Sequence, residues 1–278
     1  MPEHHPRKRF GQHFLHDRGI VQRILDAFDP QPGETLVEIG PGPGALTRPL
    51  LARSAPLHVV ELDRDLAARL RTDFPPDRLV VHEADALKFD FCALAPHTDV
   101  QVSRETGGRE RPPPHGKLRL IGNLPYNIST PLLFHLLDQG TCIQDMLFML
   151  QKEVVDRMAA APGGKDYGRL SVMIQWQLRV EKLFDVHPGA FTPPPKVDSS
   201  VVRLVPHATP LIQVRDPKLF AYVVRAAFAQ RRKTLRNNLK NLCSGDRLAA
   251  LGIDPQRRAE TLTLAEFATL ANALPPVA

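Results

Sequence analysis

The sequence predicts an α/β fold, namely a Rossmann-like, mostly parallel sheet with an antiparallel edge strand, followed by a small all-α domain. Short apolar runs alternate with helical stretches over the first 207 residues, which is typical of parallel strands joined by crossover helices. Two later apolar runs, near 180–186 and 201–205, predict a final strand pair with one antiparallel strand. After Pro206 the pattern becomes helical. We therefore expect one domain over residues 1–207 and a second over residues 208–278.

The composition is that of an ordinary globular protein, with 278 residues of which 43% are hydrophobic. No apolar run approaches the roughly 20 residues that a membrane-spanning helix needs, and the basic residues 1–10 have no apolar stretch behind them. Cys92, Cys142 and Cys243 are odd in number and far apart, which fits neither a disulfide framework nor a zinc site. We expect a cytoplasmic protein without a bound metal.

The net charge of +6 is concentrated in the last quarter of the chain. Residues 1–207 carry 25 basic and 25 acidic side chains, whereas residues 208–278 carry 11 and 5. A basic module attached to a neutral one indicates a polyanionic partner that the first holds and the second modifies. A basic surface kept for solubility is the alternative.

The segment 230–240 supplies much of that basic charge. Its pattern predicts a helix in which Leu235 and Leu239 face the core. Phosphate contacts from the exposed side of such a helix position a nucleic acid without reading its sequence. The candidate RNA-binding residues are Arg231, Arg232, Lys233, Arg236 and Lys240.

The N-terminal stretch 12–15, Gln-His-Phe-Leu, is expected to fold onto the domain, since a free tail has no use for two large apolar side chains. The basic residues 7–9 before it are candidates for phosphate contact or plain solvation. A helix should follow, with Ile20, Ile24 and Leu25 on its buried face.

The apolar run 35–40 predicts a buried strand that leads into a glycine-rich turn, 40–44, Gly-Pro-Gly-Pro-Gly. These glycines let the backbone approach a ligand, and a helix starting near Ala45 would point its N–H groups at an anionic part of it. The glycines are denser than in the dinucleotide fingerprint, and prolines stiffen the turn. A ligand built from an amino acid and a nucleoside is therefore favoured over a dinucleotide.

Two further predicted strands end in acidic residues. Glu61 lies about 20 residues beyond the glycines, where a carboxylate can accept hydrogen bonds from both hydroxyls of a ribose. Asp63 and Asp65 are alternatives, although they can equally cap the next helix. Asp85 ends the run 79–85 and can accept from an adenine amine, while Ala86 leaves space for the ring.

The segment 122–126, Gly-Asn-Leu-Pro-Tyr, follows a short apolar run and should lie at the carboxyl end of a strand, where open α/β sheets bind ligands. Asn123 Oδ1 and a main-chain carbonyl of Leu124 or Pro125 can accept both N–H bonds of a planar amine and draw its lone pair towards an electrophile. Tyr126 can stack on the ring. The alternative is that this segment is only a strand end followed by a proline turn, with no role in binding or catalysis. Asn123 and Tyr126 are the candidate catalytic residues.

The last two features lie away from the predicted strands. In the proline-rich segment 191–200, Phe191 is expected either to cover the face of a base opposite Tyr126 or to be a core residue. Residues 96–117, rich in proline and glycine, predict a long surface loop without chemistry.

Together these segments resemble the KsgA family of ribosomal RNA small-subunit adenine dimethyltransferases. The matching segments are 12–15, 38–47, Glu61, 85–86, 123–126, 191–199 and 230–236. The glycine loop alone indicates only a class I methyltransferase. Asn-Leu-Pro-Tyr combined with Phe-Thr-Pro-Pro-Pro-Lys-Val-Asp-Ser and the basic segment is specific to this family.

The resemblance implies that S-adenosylmethionine is the methyl donor, without a metal. The implied cofactor contacts are His13, Leu15, Gly40, Gly42, Glu61, Asp85, Ala86 and Asn123. It also implies dimethylation of the exocyclic amines of two adjacent adenosines near the 3′ end of 16S rRNA, in the small ribosomal subunit, by a monomer that contributes to subunit biogenesis. The family usually has Asn at the position of His13. The loop that corresponds to residues 96–117 is shorter in the family than in this chain.

Three alternatives stay open. The 23S rRNA adenine methyltransferases that confer macrolide resistance share the domain but usually carry Ile in place of Leu124. A DNA adenine methyltransferase is expected to show Asp-Pro-Pro-Tyr at the central motif, which this chain lacks. A ribosome-assembly factor, whose binding matters more than its chemistry, is the third.

Overall fold

The computed structural model describes residues 12–96 and 116–275. The expectations for residues 7–9 and for most of 96–117 lie outside these ranges. The described chain divides into two compact units: residues up to Lys152 with Lys182–Pro206 form the first, and Glu153–Glu181 with the residues from His207 onward form the second.

The second unit starts earlier in the chain than the expected boundary after residue 207. Residues 153–181 belong to it because their aromatic side chains enter its core. The Trp176 ring lies 4.8 Å from that of Phe220, and the Tyr167 ring lies 6.2 Å from that of Phe228, measured between ring centroids.

Nine strands are present in the described ranges: β1 (Phe14–Leu15), β2 (Thr35–Ile39), β3 (Leu57–Glu61), β4 (Leu79–Glu83), β5 (Leu118–Asn123), β6 (Ile143–Gln151), β7 (Leu178–Val186), β8 (Phe191–Thr192) and β9 (Ser199–Pro206). Seven form one sheet in the order β4-β3-β2-β5-β6-β9-β7. Strands β2 to β6 pair in parallel, and β9 runs antiparallel to β6. The predicted fold class is confirmed, with the antiparallel strand one position in from the edge strand β7.

Within the described ranges, four helices belong to the first unit: α1 (Arg18–Phe28), α2 (Thr47–Arg53), α3 (Arg64–Asp73) and α4 (Ser129–Asp138). Asp17 starts α1 by accepting hydrogen bonds from the main-chain N–H groups of residues 19 and 20, and Ile24 and Leu25 are buried as expected. Asp63 starts α3 in the same way by accepting from the N–H of Asp65. Asp63 thus has the capping role that the sequence left open.

The stretch before α1 folds onto this unit, as its two apolar residues predict. Strand β1 pairs antiparallel with β8, so that Leu15 lies opposite Phe191 and Phe14 opposite Thr192. Leu15 and Phe191 are both buried in the hydrophobic core of this unit.

A buried ion-pair cluster lies at the amino ends of the central strands. Arg119, near the start of β5, contacts Glu34 and Asp145 at 2.7 Å each, and its side chain is only 8% exposed. Its guanidinium also lies 4.4 Å from the centroid of the Phe28 ring. The two carboxylates therefore depend on one arginine for their charge compensation.

The cysteine expectation was wrong, because Cys92 and Cys142 form a disulfide. They are 50 residues apart, and no local spacing signals the pair. They meet because a 3-10 turn after β4 packs against the end of α4, where Gln139 Oε1 accepts a hydrogen bond from the Phe91 N–H at 2.7 Å. Cys243 is free and buried.

The second unit is helical: α5 (Lys152–Ala159) leads into it, followed by α6 (Arg169–Gln177), α7 (Pro217–Ala227), α8 (Leu235–Asn238), α9 (Gly245–Ala250) and α10 (Leu264–Asn272). The expected helix over 230–240 was too long. Thr234 is extended, with φ −72° and ψ 163°, and α8 starts only after it. Asn238 Nδ2 donates to the carbonyls of Ala227 and Gln230 and so closes the intervening turn.

Within the described ranges, no helix is both long enough and apolar enough to cross a membrane.

Candidate active site

A cavity opens in the first unit at the carboxyl ends of β2, β3, β4 and β5. Its lining comes from five stretches of chain, within residues 12–15, 38–46, 60–63, 84–86 and 123–128. The eight residues expected to contact a cofactor, which come from all five stretches, are on this lining: His13, Leu15, Gly40, Gly42, Glu61, Asp85, Ala86 and Asn123. The sheet topology brings them together because parallel strands end at the same edge.

The glycine turn forms one wall of the cavity. Gly42 has a positive φ of 55°, and a Cβ atom there would lie 3.2 Å from the ring of Phe14. A side chain at this position would therefore be strained and crowded. The N–H of Gly42 donates to Glu61 Oε2 at 3.2 Å, which holds the turn against the end of β3.

Glu61 is the buried acid of the site, with 6% of its surface exposed. Its Oε2 accepts from Gly42, and its Oε1 accepts from the N–H of Asp63 at 2.8 Å. Burial raises the pKa of Glu61, while these hydrogen bonds oppose the rise. A carboxylate offers about four acceptor positions, so Glu61 can still accept from a ribose hydroxyl.

Glu38 is a second buried acid that the sequence analysis did not single out as a site residue. Thr47 Oγ1 donates to Glu38 Oε2 at 2.6 Å, which ties β2 to the start of α2. Burial raises the pKa of Glu38 to about 8, although the Thr47 hydrogen bond opposes the rise. Burial therefore favours the neutral form of Glu38. The sequence signal for Glu38 as a site residue is its position as an acidic residue within an otherwise apolar strand.

Asp85 and Ala86 lie on the far side of the cavity, after β4. Asp85 Oδ1 accepts from the N–H of Leu87 at 3.0 Å, which fixes the turn that carries both residues. Ala86 is 7% exposed and presents only a methyl group. This arrangement offers one carboxylate and a flat apolar contact, as binding of an adenine ring requires.

Asn123 ends β5 and is held in one orientation. Its Nδ2 donates to the main-chain carbonyl of His13 at 2.9 Å. Among the described residues, none donates a hydrogen bond to its Oδ1. Pro125, one of the two carbonyls considered as a second acceptor, already accepts from Ile128 N at 3.2 Å and from Ser129 Oγ at 3.0 Å. Leu124 is therefore the better candidate for that acceptor.

Tyr126 lines the same cavity and is fixed by two contacts. Its hydroxyl hydrogen-bonds to Ser199 Oγ at 2.7 Å, and its ring stacks on His13 with centroids 5.4 Å apart and planes at 30°. Burial raises the pKa of Tyr126, so the phenol stays neutral at physiological pH. His13 Nδ1 in turn donates to the carbonyl of Pro193 at 2.7 Å. No local sequence pattern indicates that Ser199 and Pro193 contact these rings.

Phe191 does not have the first of its two expected roles. It is 2% exposed, belongs to the hydrophobic core and is not among the residues that line the cavity. Its pairing with Leu15 across β1 and β8 turns the ring into the core. The alternative weighed from the sequence, a core residue, is what the structure shows.

The candidate RNA-binding residues lie in the second unit, and all are exposed: Arg231, Arg232, Lys233, Arg236 and Lys240. Arg231 also has internal contacts, since its Nε lies 3.2 Å from Glu260 Oε2 and its Nη2 donates to the carbonyl of Lys165. In the described part of the chain, no group of three or more His, Cys, Asp or Glu side chains is placed to hold a metal ion.

Comparison with known sequences gives one consistent family. The profile described as ribosomal RNA adenine dimethylase matches residues 3–275. The ribosomal RNA small subunit methyltransferase A of Laribacter hongkongensis is 57% identical over 272 residues, covering 98% of this chain and 97% of that one. The protein of the same name from Pseudomonas aeruginosa is 55% identical over 273 residues, covering 98% and 96%.

Two solved structures resemble this chain over most of its length. A dimethyladenosine transferase from Plasmodium falciparum superposes with a TM-score of 0.72 at 25% identity, covering 93% of this chain and 96% of that one. The 23S rRNA methyltransferase ErmE superposes with a TM-score of 0.66 at 25% identity, covering 93% and 98%.

Proposed function

Because the chain belongs to the ribosomal RNA adenine dimethylase family, we propose that it transfers methyl groups from S-adenosylmethionine to two adjacent adenosines near the 3′ end of 16S rRNA. The product is N6,N6-dimethyladenosine. The reaction takes place in the cytoplasm, on the small ribosomal subunit, with the chain acting as a monomer that contributes to subunit biogenesis.

Two observations support this substrate over the alternatives. The relatives that match nearly the whole chain at more than half identity are named for the small subunit, whereas the likeness to the 23S rRNA enzyme is 25%. The central motif reads Asn-Leu-Pro-Tyr and not Asp-Pro-Pro-Tyr, which disfavours a DNA substrate.

The lining of the cavity fits the proposed cofactor. S-adenosylmethionine supplies a methyl group on a positively charged sulfur, which is a good leaving group. Glu61 would accept hydrogen bonds from the ribose hydroxyls, and Asp85 would accept from the adenine amine while Ala86 contacts the ring. Glu38 lines the same cavity, where burial favours its neutral form.

The orientation of Asn123 is the observation that carries the mechanism. Because its Nδ2 is occupied by the carbonyl of His13, its Oδ1 is the atom that faces a donor. Accepting one N–H of the target amine, while the Leu124 carbonyl accepts the other, concentrates the nitrogen lone pair for attack. Two fixed acceptors of this kind act by positioning and electrostatic stabilisation.

Tyr126 would hold the plane of the target base. The Ser199 hydrogen bond and the His13 stack leave its ring little freedom, so a base that stacks on it is aligned with Asn123. The base must leave its own stack to reach the cavity, at a cost of about a few kcal/mol that is smallest in a loop. Unpaired or loop adenines are therefore the expected targets.

The test is methyl transfer from labelled S-adenosylmethionine to small ribosomal subunits that lack the modification, with mass-spectrometric mapping of the product. Free 23S rRNA and DNA are run beside it. Dimethyladenosine confined to the 3′ region of 16S rRNA is the expected result. Methylation of 23S rRNA or DNA instead, or tight subunit binding without methyl transfer, would contradict the proposal.

A further inference from the structure

The outer face of α7 carries an aromatic side chain between two basic ones. Lys218, Tyr222 and Arg225 have the spacing i, i+4 and i+7, which places them in one stripe along the helix. All three are exposed. The buried residues of α7 lie on the opposite side of the helix: Leu219, Phe220, Val223, Val224 and Ala227. We call Lys218, Tyr222 and Arg225 the α7 stripe.

The rotation of α7 about its axis is fixed, so the stripe faces outward. Asp216 caps the helix by accepting from the N–H groups of Lys218 and Leu219, and Pro217 occupies the first turn. On the inner side the Phe220 ring packs against Trp176. A rotation of α7 that buried the stripe would expose its packed apolar face to solvent.

Tyr222 is an unusual residue for a solvated surface. It is 37% exposed and is one of four large apolar or aromatic residues exposed to this degree in the described ranges. The guanidinium carbon of Arg225 lies 5.2 Å from the centroid of its ring, within cation–π distance. The stripe is therefore an aromatic ring with a guanidinium over one of its faces.

Within the described part of the chain, neither Lys218 nor Arg225 forms a salt bridge. Two acids of the same unit, Glu260 and Glu266, are paired with other arginines. A cationic face of this kind is complementary to a polyanion.

We propose that the α7 stripe binds an unpaired nucleotide of the RNA substrate, with the base stacked on Tyr222 and the flanking phosphates contacted by Lys218 and Arg225. An aromatic platform between cations is the arrangement that binds single-stranded RNA without sequence preference. The inference rests on the proposed function, which supplies RNA as the partner. It adds a contact surface outside the segment 230–240.

The carboxyl end of α7 lies close to that basic segment. The carbonyl of Ala227, two residues beyond Arg225, accepts a hydrogen bond from Asn238 Nδ2 of α8 at 2.7 Å. The carboxyl end of α7 therefore lies beside α8. One RNA strand can contact both surfaces within the same unit.

The experiment measures binding of the full chain to small ribosomal subunits that lack the methylations, at several salt concentrations. Tyr222→Ala is expected to weaken binding by about fivefold to a hundredfold, the effect of losing one stacked base. Tyr222→Phe keeps the ring and is expected to bind like the wild type. Lys218→Gln and Arg225→Gln should each lower the salt slope of binding by about one.

Leu211→Ala is the matched control, because Leu211 is an apolar residue of the same unit that is 60% exposed; it should leave affinity unchanged. Unchanged binding by Tyr222→Ala, or an equal loss in Tyr222→Phe, overturns the stacking role. Self-association that depends on Tyr222, with RNA affinity unchanged, would assign the stripe to a second copy of the chain. Methyl transfer by the wild-type chain is read separately, so failure of the proposed function is distinguishable from failure of the stripe.

Discussion

Replacing Asn123 tests the mechanism most directly. Asn123→Ala removes the acceptor proposed for the target amine and the donor that satisfies the carbonyl of His13. Loss of one oriented polar group at a reacting centre costs about 100- to 1000-fold in kcat. The main-chain carbonyl of His13 would lose its hydrogen bond from Asn123, which costs about 1 kcal/mol of folding stability. A loss of that size lowers the melting temperature by roughly 2–4 °C in a chain of this size.

Asn123→Asp separates the two roles of the amide. Aspartate keeps acceptor oxygens for the amine but cannot donate to the carbonyl of His13, which Nδ2 contacts at 2.9 Å. The two oxygens would repel each other, and the side chain would turn away. We therefore expect Asn123→Asp to lose most of the activity as well. If only the acceptor oxygen mattered, Asn123→Asp would keep the activity.

The assay is single-turnover methyl transfer to unmethylated small subunits, with subunit affinity measured in parallel. Both variants should bind subunits within about twofold of the wild type, because the basic surface lies in the second unit. A wild-type rate in Asn123→Ala would refute the proposed amine contact. A parallel loss of affinity would show that the substitution disturbs the structure beyond the cavity and would contradict the proposed local role.

Three further outcomes are expected. Gly122→Ala should lower the melting temperature by several degrees, because the added Cβ would lie 2.5 Å from a main-chain oxygen of β2. Overpacking of this kind costs about 1–3 kcal/mol of folding stability. The control is Gly140→Ala, which should leave the melting temperature unchanged because the space around Gly140 is open. Arg119→Met should destabilise by about 3–5 kcal/mol in urea unfolding, because two buried carboxylates lose their partner. Burial lowers the pKa of both His58 and His82, and Nδ1 of His58 lies 3.1 Å from Nε2 of His82. As the pH falls through the ordinary histidine pKa of about 6.5, the unfolded chain takes up protons that the folded chain does not. The melting temperature should therefore fall with decreasing pH in this range, and fall less when both histidines are replaced by Gln.

The parts of the site that the sequence predicts are those that depend on strand ends. Glu61, Asp85 and Asn123 each follow an apolar run, and in a parallel sheet such positions converge without any knowledge of side-chain contacts. Their convergence on one cavity therefore required only the correct fold class.

The parts that failed depend on contacts between distant segments. The Cys92–Cys142 disulfide joins a turn after β4 to the end of α4, and no local pattern reports it. In the segment 230–240 the buried positions Leu235 and Leu239 were correct. The helix was too long because Asn238 forms hydrogen bonds that a continuous helix cannot make. A hydrophobic pattern specifies which face is buried but not where the backbone leaves the helix.

The proline-rich segment after Phe191 acquires a different role from the one its sequence suggests. Phe191 is in the core, so the segment does not supply a ring to the cavity. Its two ends instead contact the rings that do line it, through the carbonyl of Pro193 on His13 and the hydroxyl of Ser199 on Tyr126. Prolines limit the backbone freedom between these two contacts. The rigidity of the segment therefore acts on the relative placement of His13 and Tyr126, and through them on the plane in which a target base can stack.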